Sequence, residues 1–428
     1  MAKPPLPEAE RLEGYLERLS AAVGHADRRE PLRAYLTGLL LPGERKSVEP
    51  MAAKWDPLHV QARHQSLHHF VAQAPWSEVE LLRVARDYAL VGFERHAPIA
   101  AWVIDDTGIP KKGSHSVGVS HQYCGALGKS ANCQVAVTVS LVNASLSVPA
   151  GFRLYLPQGW AQDPQRRRTA GVPEEVKFQT KGSIALAQID ELLAEQIPLA
   201  PIVADAGYGA STEFRDALTE RNLSYAVGIL PETTLWAAEV EPLPPSPWKG
   251  QGRPPTRLRR SPERRPVPAR ELAQSLPGKT WKTVRWREGT RGMMRSQFAA
   301  VRVRAAHGDS RCTREPEWLL VEWPTGEKEP TRYWLSTVPE DVELEELVRL
   351  AKIRWRIERD FQELKDELGL DHYEGRGWRG FHHHGALCIA AYAFLVAERA
   401  RLSPPAPLAF LLPSRLPEDF RPRGSQAP

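Results

Sequence analysis

The chain has 428 residues, of which 42% are hydrophobic, and it carries a formal net charge of +5 at pH 7. This length exceeds that of one ordinary domain, so we expect two or three folding units with real hydrophobic cores. No apolar run approaches the roughly 18 residues that cross a membrane, and the first residues lack the apolar stretch of a signal peptide. These features argue against a membrane protein or a secreted one and favour a soluble, cytoplasmic protein.

The cysteines and the basic residues narrow the class further. The four cysteines show no Cys-x-x-Cys pairing and no histidine partners at zinc-finger spacing: Cys124, Cys133, Cys312 and Cys388. The pattern argues against a disulfide framework and against a structural zinc site, and it predicts reduced thiols. Arginine is clustered and the sequence pI is about 9.0, which suits a polyanionic partner such as nucleic acid.

The first part of the chain is predicted to be helical. Residues 8–95 carry apolar side chains at helical spacing, and Ser47 stands where a short helix could begin. Basic and polar groups near Arg63 could contact phosphates, so a helical domain that binds DNA is one interpretation. A helical cap without a ligand is the other, because no helix-turn-helix signature is present.

Two apolar segments predict buried strands that end in carboxylates. Residues 98–104 lead into Asp105 and Asp106, and residues 200–204 lead into Asp205. Two further strands and a helix are predicted between them, at 132–142, 151–156 and 182–197. This order is typical of a mixed α/β sheet, whose strand ends build sites. Adjacent acids repel each other, and a divalent cation would relieve that repulsion.

Two conspicuous motifs do not indicate a site. Gly128-Lys129-Ser130 is similar to the end of a phosphate-binding loop, but Tyr123 stands where that loop requires glycine, so we expect no nucleotide cofactor. The triplet His382-His383-His384 sends consecutive side chains about 100° apart on a helix, which cannot chelate one ion well. We expect this triplet to be a polar helix start that precedes an apolar core helix.

A basic insertion follows the second aspartate. Residues 241–270 contain nine prolines and eight Lys or Arg against two Glu, which predicts a mobile basic loop that could grip phosphates. Its candidate DNA contacts are Arg257, Arg259, Arg260, Arg264 and Arg265. Four strands are predicted after it, at 281–287, 296–304, 317–323 and 331–336, with basic and aromatic side chains. A β-subdomain with solvated arginines is the alternative interpretation.

One charged stripe is predicted near the end of the chain. Residues 343–368 lack Gly and Pro and predict one long helix, on which Arg354, Glu358 and Lys365 lie within roughly 40° of one another. The stripe borders the apolar side of the helix. A carboxylate flanked by two cations at the edge of a core costs free energy, which suggests that the group has a function. Taken alone, the stripe is also compatible with an ordinary solvated charge pair on a helix.

The three acids predict metal chemistry if this helix packs beside the sheet. Asp105, Asp205 and Glu358 offer hard oxygen ligands without Cys or His, which select Mg²⁺ or Mn²⁺. Two such ions activate a water or a 3′-hydroxyl and stabilise the leaving oxygen of a phosphodiester. Arg354 and Lys365 would then bind DNA phosphates beside the metals and would partly offset the repulsion among the acids.

These residues resemble the DDE-type transposases of bacterial insertion sequences, over roughly residues 95–400. One branch of that family carries a helix with Tyr, two residues, Arg, three residues, Glu, six residues and Lys. Arg354, Glu358 and Lys365 match this spacing, and Ala351 occupies the Tyr position. A β-rich insertion between the second Asp and the Glu is a further trait of this branch.

The family pattern also selects the two aspartates. The first family Asp lies in an Asp-x-Thr pattern, which selects Asp105 with Thr107 and leaves Asp106 as an alternative, and the second selects Asp205. The resemblance implies an RNase H-like α/β fold, two divalent ions, and cleavage and strand transfer at the ends of an insertion sequence. It also implies double-stranded DNA as the partner, a homodimer bridging two ends, and a nucleoid-associated protein when bound.

The resemblance divides the chain as follows: an end-binding helical domain at 1–95, a first catalytic part at 96–222, the insertion at 223–338, a second catalytic part at 339–402, and a Pro-rich tail at 403–428. Two alternatives stay open at this point. One is a DNA-binding regulator derived from a transposase, and the other is a metal-dependent endonuclease that never joins strands. Intact acids argue against the regulator.

Overall fold

The computed structural model describes residues 7–289, 292–307 and 314–402; Cys312 and the predicted tail lie outside this part of the chain. It begins with helices, as predicted, and the third starts directly after Ser47. These helices are α1 Glu8–Val23, α2 Arg29–Leu40, α3 Val48–Trp55, α4 Val60–Ala72 and α5 Glu78–His96. Their apolar faces share one main core with the sheet and the last helix.

The middle of the chain alternates strands and helices in the predicted order. It contains β1 Ala101–Pro110, β2 Ser120–Cys124, β3 Lys129–Val142, β4 Ser147–Leu154, α6 Gln158–Ala161, α7 Pro164–Ala170, α8 Lys181–Ala194, β5 Ile202–Ala204, α9 Ala206–Gly209, α10 Thr212–Glu220 and β6 Tyr225–Ile229. β3 is buried along most of its length, as expected for an apolar strand that is covered on both faces.

The remaining elements include the four strands predicted for the insertion. They are β7 Thr234–Ala237, β8 Val267–Pro268, α11 Ala269–Ser275, β9 Lys282–Gly289, β10 Gly292–Ala305, β11 Glu317–Trp323, β12 Arg332–Ser336, α12 Leu344–Lys352, α13 Trp355–Asp366 and α14 Trp378–Leu402. Most of the predicted basic loop lies between β7 and β8, where two isolated bridges join Leu243 to Arg259 and Ser261 to Arg264.

The sheet has an RNase H-like centre. Its strands run in the order β4, β3, β1, β5, β6, with β5 parallel to both β1 and β6 and with β3 antiparallel to β1. This arrangement confirms the predicted α/β fold with helices on a mixed sheet. β12 then pairs with β6, and the sheet continues through β11, β10, β7 and β8. The strands of the predicted insertion therefore extend the same sheet.

The first strand does not end at Asp105, and that prediction was wrong. β1 runs on to Pro110, and its ladder with β3 pairs Asp105 with Thr138 and Asp106 with Val137. The 14-residue β3 is long enough to keep pairing with β1 beyond the acids. Because successive side chains of a strand point to opposite faces, the two aspartates leave β1 in opposite directions.

The predicted single helix over 343–368 is also wrong, because it is two helices. Ile353 and Arg354 form a turn between α12 and α13, where the amide of Ile353 bonds to the Leu350 carbonyl three residues back. No Gly or Pro marks this break. Val348 of α12 packs in a second core with strands of the insertion, whereas α13 contributes Ile357 to that second core and Leu364 to the main core.

The histidine triplet is buried, so the expectation of a polar helix start was wrong. His382, His383 and His384 lie inside α14 and are at most 4% exposed. The ring of His384 lies 2.8 Å from the Tyr35 hydroxyl and 2.9 Å from the Gly369 carbonyl. Burial lowers the pKa of His384 to about 4, so the ring is neutral at pH 7. The partners of the three rings include backbone groups and the Tyr35 hydroxyl, all inside the core.

The long helix α14 is the centre of the helical layer. It contacts α1, α2, α4, α5 and β4, and most of its residues are buried. Among the described residues, neither α14 nor any other helix is long and apolar enough to cross a membrane.

A buried carboxyl group makes stability depend on pH. Asp360 of α13 accepts a hydrogen bond from the Tyr392 hydroxyl at 2.8 Å, and burial raises the pKa of Asp360 to about 6, against about 3.9 in an unfolded chain. A raised pKa means that the folded state holds this proton more tightly. The proton bound to Asp360 therefore adds its full contribution to the free energy of unfolding below about pH 4, and this contribution is lost as the pH rises through 6.

We expect Asp360→Asn to be more stable than the original chain at pH 7.5, by roughly 1–3 kcal/mol, and this gain should shrink toward pH 4. Urea unfolding at several pH values measures the difference. Asp366→Asn, at an exposed position on the same helix, is the matched control. A gain that is the same at every pH would contradict the assignment.

Candidate active site

An open cleft of about 800 Å³ lies beside the carboxyl-terminal half of β1 and the end of β5, facing α13. It brings together all three acids predicted from the sequence and both cations of the predicted stripe. The predicted residues that line it are Asp105, Asp106, Asp205, Arg354, Glu358 and Lys365. The local structure around each of them explains how they meet.

Parallel pairing sets the first two acids side by side. β1 and β5 pair with Val103 opposite Val203, and an aspartate follows two residues later in each of these segments, as Asp105 and as Asp205. Asp205 caps α9, and its carboxylate accepts the amide of Gly207 at 2.8 Å. Asp105 accepts the amide of Asp106 at 2.9 Å. Both carboxylates are thus oriented by backbone donors.

Arg354 lies between these two acids. Its Nη2 atom donates to Asp105 Oδ2 at 2.9 Å and lies 3.9 Å from Asp205 Oδ2. Burial raises the pKa of Asp105, and the Arg354 guanidinium opposes that rise. The sequence predicted that Arg354 would contact DNA and partly offset the repulsion among the acids; in the structure it is hydrogen-bonded to Asp105. The turn between α12 and α13 is the feature that aims it there.

The third acid stands apart from this pair. Glu358 lies in the first turn of α13, is exposed, and lines the same cleft. Across residues 7–289, 292–307 and 314–402, no three or more His, Cys, Asp or Glu side chains are arranged to hold a metal ion. Two hard carboxylates around one cation nevertheless form a donor set that suits a divalent ion. The guanidinium of Arg354 lies between these two carboxylates.

Asp106, the alternative to Asp105, is engaged elsewhere. The Tyr208 hydroxyl donates to its Oδ1 atom and the Lys181 ammonium to its Oδ2 atom. Both oxygens of Asp106 therefore have side-chain donors, whereas Asp105 is the aspartate that shares Arg354 with Asp205. No pattern in the sequence selects Lys181 or Tyr208. Their only signal was position, since Tyr208 follows Asp205 by three residues and Lys181 begins α8.

A third cation of the cleft also bonds to β1. Lys365 Nζ donates to the Gly108 carbonyl at 3.0 Å, and burial lowers the pKa of Lys365. Arg354 and Lys181 bond to Asp105 and Asp106 of the same strand. The positive charges of the cleft are therefore held by β1, and a DNA phosphate would have to replace these contacts.

Other predicted residues lie away from the cleft. The five loop arginines are exposed and do not line it: Arg257, Arg259, Arg260, Arg264 and Arg265. Ala351, at the position of the family tyrosine, is 3% exposed and packs in the second core. A side chain there points into apolar surroundings, so this position does not face the cleft.

Close packing beneath Asp205 gives a test of the geometry. A methyl group on Gly209 of α9 would overlap the Gly228 carbonyl and would lie 2.7 Å from Val227 Cβ. Gly159 of α6 has open space at the same position of its side chain. The first glycine therefore lets α9 approach β6 and holds Asp205 beside Asp105.

We expect Gly209→Ala to lower the free energy of unfolding by about 1–3 kcal/mol. Gly159→Ala should be neutral or stabilising, because alanine has the higher helix propensity. Urea unfolding of both variants measures the contrast. Equal stability of the two variants would show that α9 does not pack on β6 in this way.

Comparison with known proteins identifies the family. A protein from Microchaete diplosiphon, named as the probable transposase for insertion sequence element IS701, is 37% identical over 166 residues, which is 39% of this chain and 40% of the relative. The alignment therefore spans about two fifths of that protein. The family model for the DDE superfamily endonuclease matches residues 18–293, which include Asp105 and Asp205 but end before Glu358. Because this match covers well over half of the sequence, the chain belongs to the DDE superfamily of endonucleases.

Proposed function

We propose that the protein is a transposase that cuts DNA at the ends of its own insertion sequence and joins those ends to a target. The observation that carries this proposal is the acid pair Asp105 and Asp205 around the partly buried cation of Arg354, with Glu358 on the helix that faces them. The partial likeness to a protein named as a probable transposase supports strand transfer in addition to cleavage.

The three acids would hold divalent metal, which the DDE superfamily uses in general. We propose Mg²⁺ or Mn²⁺, as two ions, with Asp105, Asp205 and Glu358 as the ligands. When bound, such ions activate a water or a 3′-hydroxyl and stabilise the leaving oxygen. Asp105 and Asp205 are already oriented by backbone amides, so the chain's own part is to keep both carboxylates aimed at one point.

The cations of the cleft would position the DNA backbone. Lys365 and Lys181 line the cleft near the acids, and each makes a single bond that a phosphate oxygen could replace. Arg354 can bind a phosphate with two parallel hydrogen bonds once it leaves Asp105. We propose that these residues hold the scissile strand while the acids act on it.

The rest of the chain would recognise longer DNA. The exposed basic loop between β7 and β8 suits flanking phosphates, and the helices within residues 1–95 are proposed to recognise the element ends. A homodimer would bridge two ends on double-stranded DNA. An endonuclease that never joins strands is the second candidate, because the family description names only that activity. Joined products separate the two.

We expect Asp105→Asn, Asp205→Asn and Glu358→Gln each to abolish cleavage of a duplex that carries the inverted repeats bordering the gene. DNA binding should persist, because each change removes negative charge only. Asp106→Asn should retain activity at a level about 10- to 100-fold lower, as for a residue that orients its neighbours. Mg²⁺-dependent cleavage with labelled duplex measures all four.

Glu367→Gln is the matched control for Glu358→Gln, since both are exposed glutamates near α13. It should cut at the original rate. Full cutting by Glu358→Gln would remove this residue from the proposed ligand set, and cutting without any joined product would favour the endonuclease. Loss of activity in Asp106→Asn together with full activity in Asp105→Asn would exchange the roles of the two aspartates.

The basic loop gives a separate test by salt dependence. Replacing all five arginines of the loop by Gln should lower the magnitude of the slope of log affinity against log salt by up to about 4.5, because each phosphate contact in duplex DNA contributes about 0.9. Replacing the same five by Lys keeps the charge and should keep the slope. Fluorescence anisotropy with duplex DNA at several salt concentrations measures both. An unchanged slope in the Gln variant would exclude the loop from DNA binding.

A further inference from the structure

We propose that Arg354 is a built-in counter-ion that occupies the metal position between Asp105 and Asp205 and so sets how tightly that pair binds divalent metal. This inference rests on the proposed function in one respect, namely that these aspartates are metal ligands. It assigns Arg354 a role in the free protein that differs from its contact with DNA.

The contacts of Arg354 place it where a metal would be. One nitrogen, Nη2, reaches both carboxylates, at 2.9 Å from Asp105 Oδ2 and 3.9 Å from Asp205 Oδ2. The other cations of the cleft are bonded elsewhere on β1, Lys181 to Asp106 and Lys365 to the Gly108 carbonyl. Arg354 is therefore the cation that offsets the repulsion between the two acids.

The guanidinium of Arg354 cannot make room for a metal ion between the two acids by losing its proton. Arginine stays charged at any pH that the fold survives, so a divalent ion entering beside it would meet a full positive charge. The side chain must move before the pair can accept metal. Asp105 is only 17% exposed, so water screens this repulsion weakly.

The surroundings of Arg354 allow that movement. The residue lies in the turn between α12 and α13, and its Nε atom is buried without a hydrogen-bond partner within the described part of the chain. Leaving the acids therefore breaks one short bond and no wider network. The next residue is held in place, because Arg287 lies 4.3 Å from the ring centre of Trp355. The side chain can swing into the open cleft while the backbone stays.

A DNA phosphate would bind the Arg354 side chain once it has left the acids. A phosphate offers two oxygens in the geometry that a guanidinium prefers. Entry of the DNA backbone would thus withdraw Arg354 from the acids and make the metal position accessible at the same step. In the free protein the acid pair remains neutralised and binds metal weakly, which limits cleavage of DNA that is not seated in the cleft.

Isothermal titration of the full chain with MnCl₂ in the absence of DNA tests this proposal. Arg354→Gln should bind Mn²⁺ about 10-fold or more tightly than the original chain, since the competing charge is gone. Arg354→Lys should lie between them, because a shorter point charge spans the two acids less well. Arg359→Gln removes the same charge from an exposed position on α13 and should leave the affinity unchanged.

The same titration separates this inference from the metal site itself. Asp105→Asn should lose Mn²⁺ binding; if it binds as the original chain does, the assignment of the acids fails. If Asp105→Asn loses binding while neither Arg354 variant gains any, the acids stand and the counter-ion role is wrong. Each Arg354 variant decides alone, so the proposal stays testable even if one does not fold. A gain in Arg359→Gln equal to that in Arg354→Gln would reduce the effect to net charge and overturn the proposal.

Discussion

The parallel pairing of β1 with β5 is the constraint on which the rest of the site depends. It sets Asp105 and Asp205 next to each other. Neighbouring carboxylates repel each other unless a cation lies between them. Arg354 supplies that cation from a different part of the chain. Three further features keep these groups close together: the turn that separates α12 from α13, the packing of α9 on β6, and the ladder of β1 with β3.

Much of the fold was predictable from the sequence because apolar periodicity and acid placement are local signals. The helices near the N-terminus, the strands around both aspartates and the strands of the insertion were located this way. The break at Ile353 was not, since no Gly or Pro marks it and the surrounding packing is tertiary: α12 packs in the second core, whereas α13 contributes Ile357 to that core and Leu364 to the main core. The burial of the histidine triplet escaped for the same reason, because the carbonyls and the Tyr35 hydroxyl that satisfy those rings come from distant residues.

The composition of the site was more predictable than its electrostatics. Acidic residues that directly follow apolar segments, and a charged helical stripe, predicted which side chains line the cleft. They predicted that Arg354 would offset the repulsion among the acids, but not that Lys181 and Tyr208 would hold Asp106, because those partners are chosen by three-dimensional packing. Strand alternation does explain the outcome afterwards: neighbouring aspartates on β1 face opposite sides, so each meets its own set of donors.

The central position of α14 has a consequence for the order in which the protein can fold during synthesis. Tyr15 donates its hydroxyl hydrogen to the Ala390 carbonyl, and the ring of His383 lies against the Val71 carbonyl, so the first helices are completed by residues made more than 300 positions later. Contacts this far apart in sequence are slow to form. The N-terminal helices must therefore wait, with their apolar faces uncovered, until the ribosome has released nearly the whole chain. A chain whose synthesis stops early would lack α14, which covers the first helices, and α13, which carries Glu358.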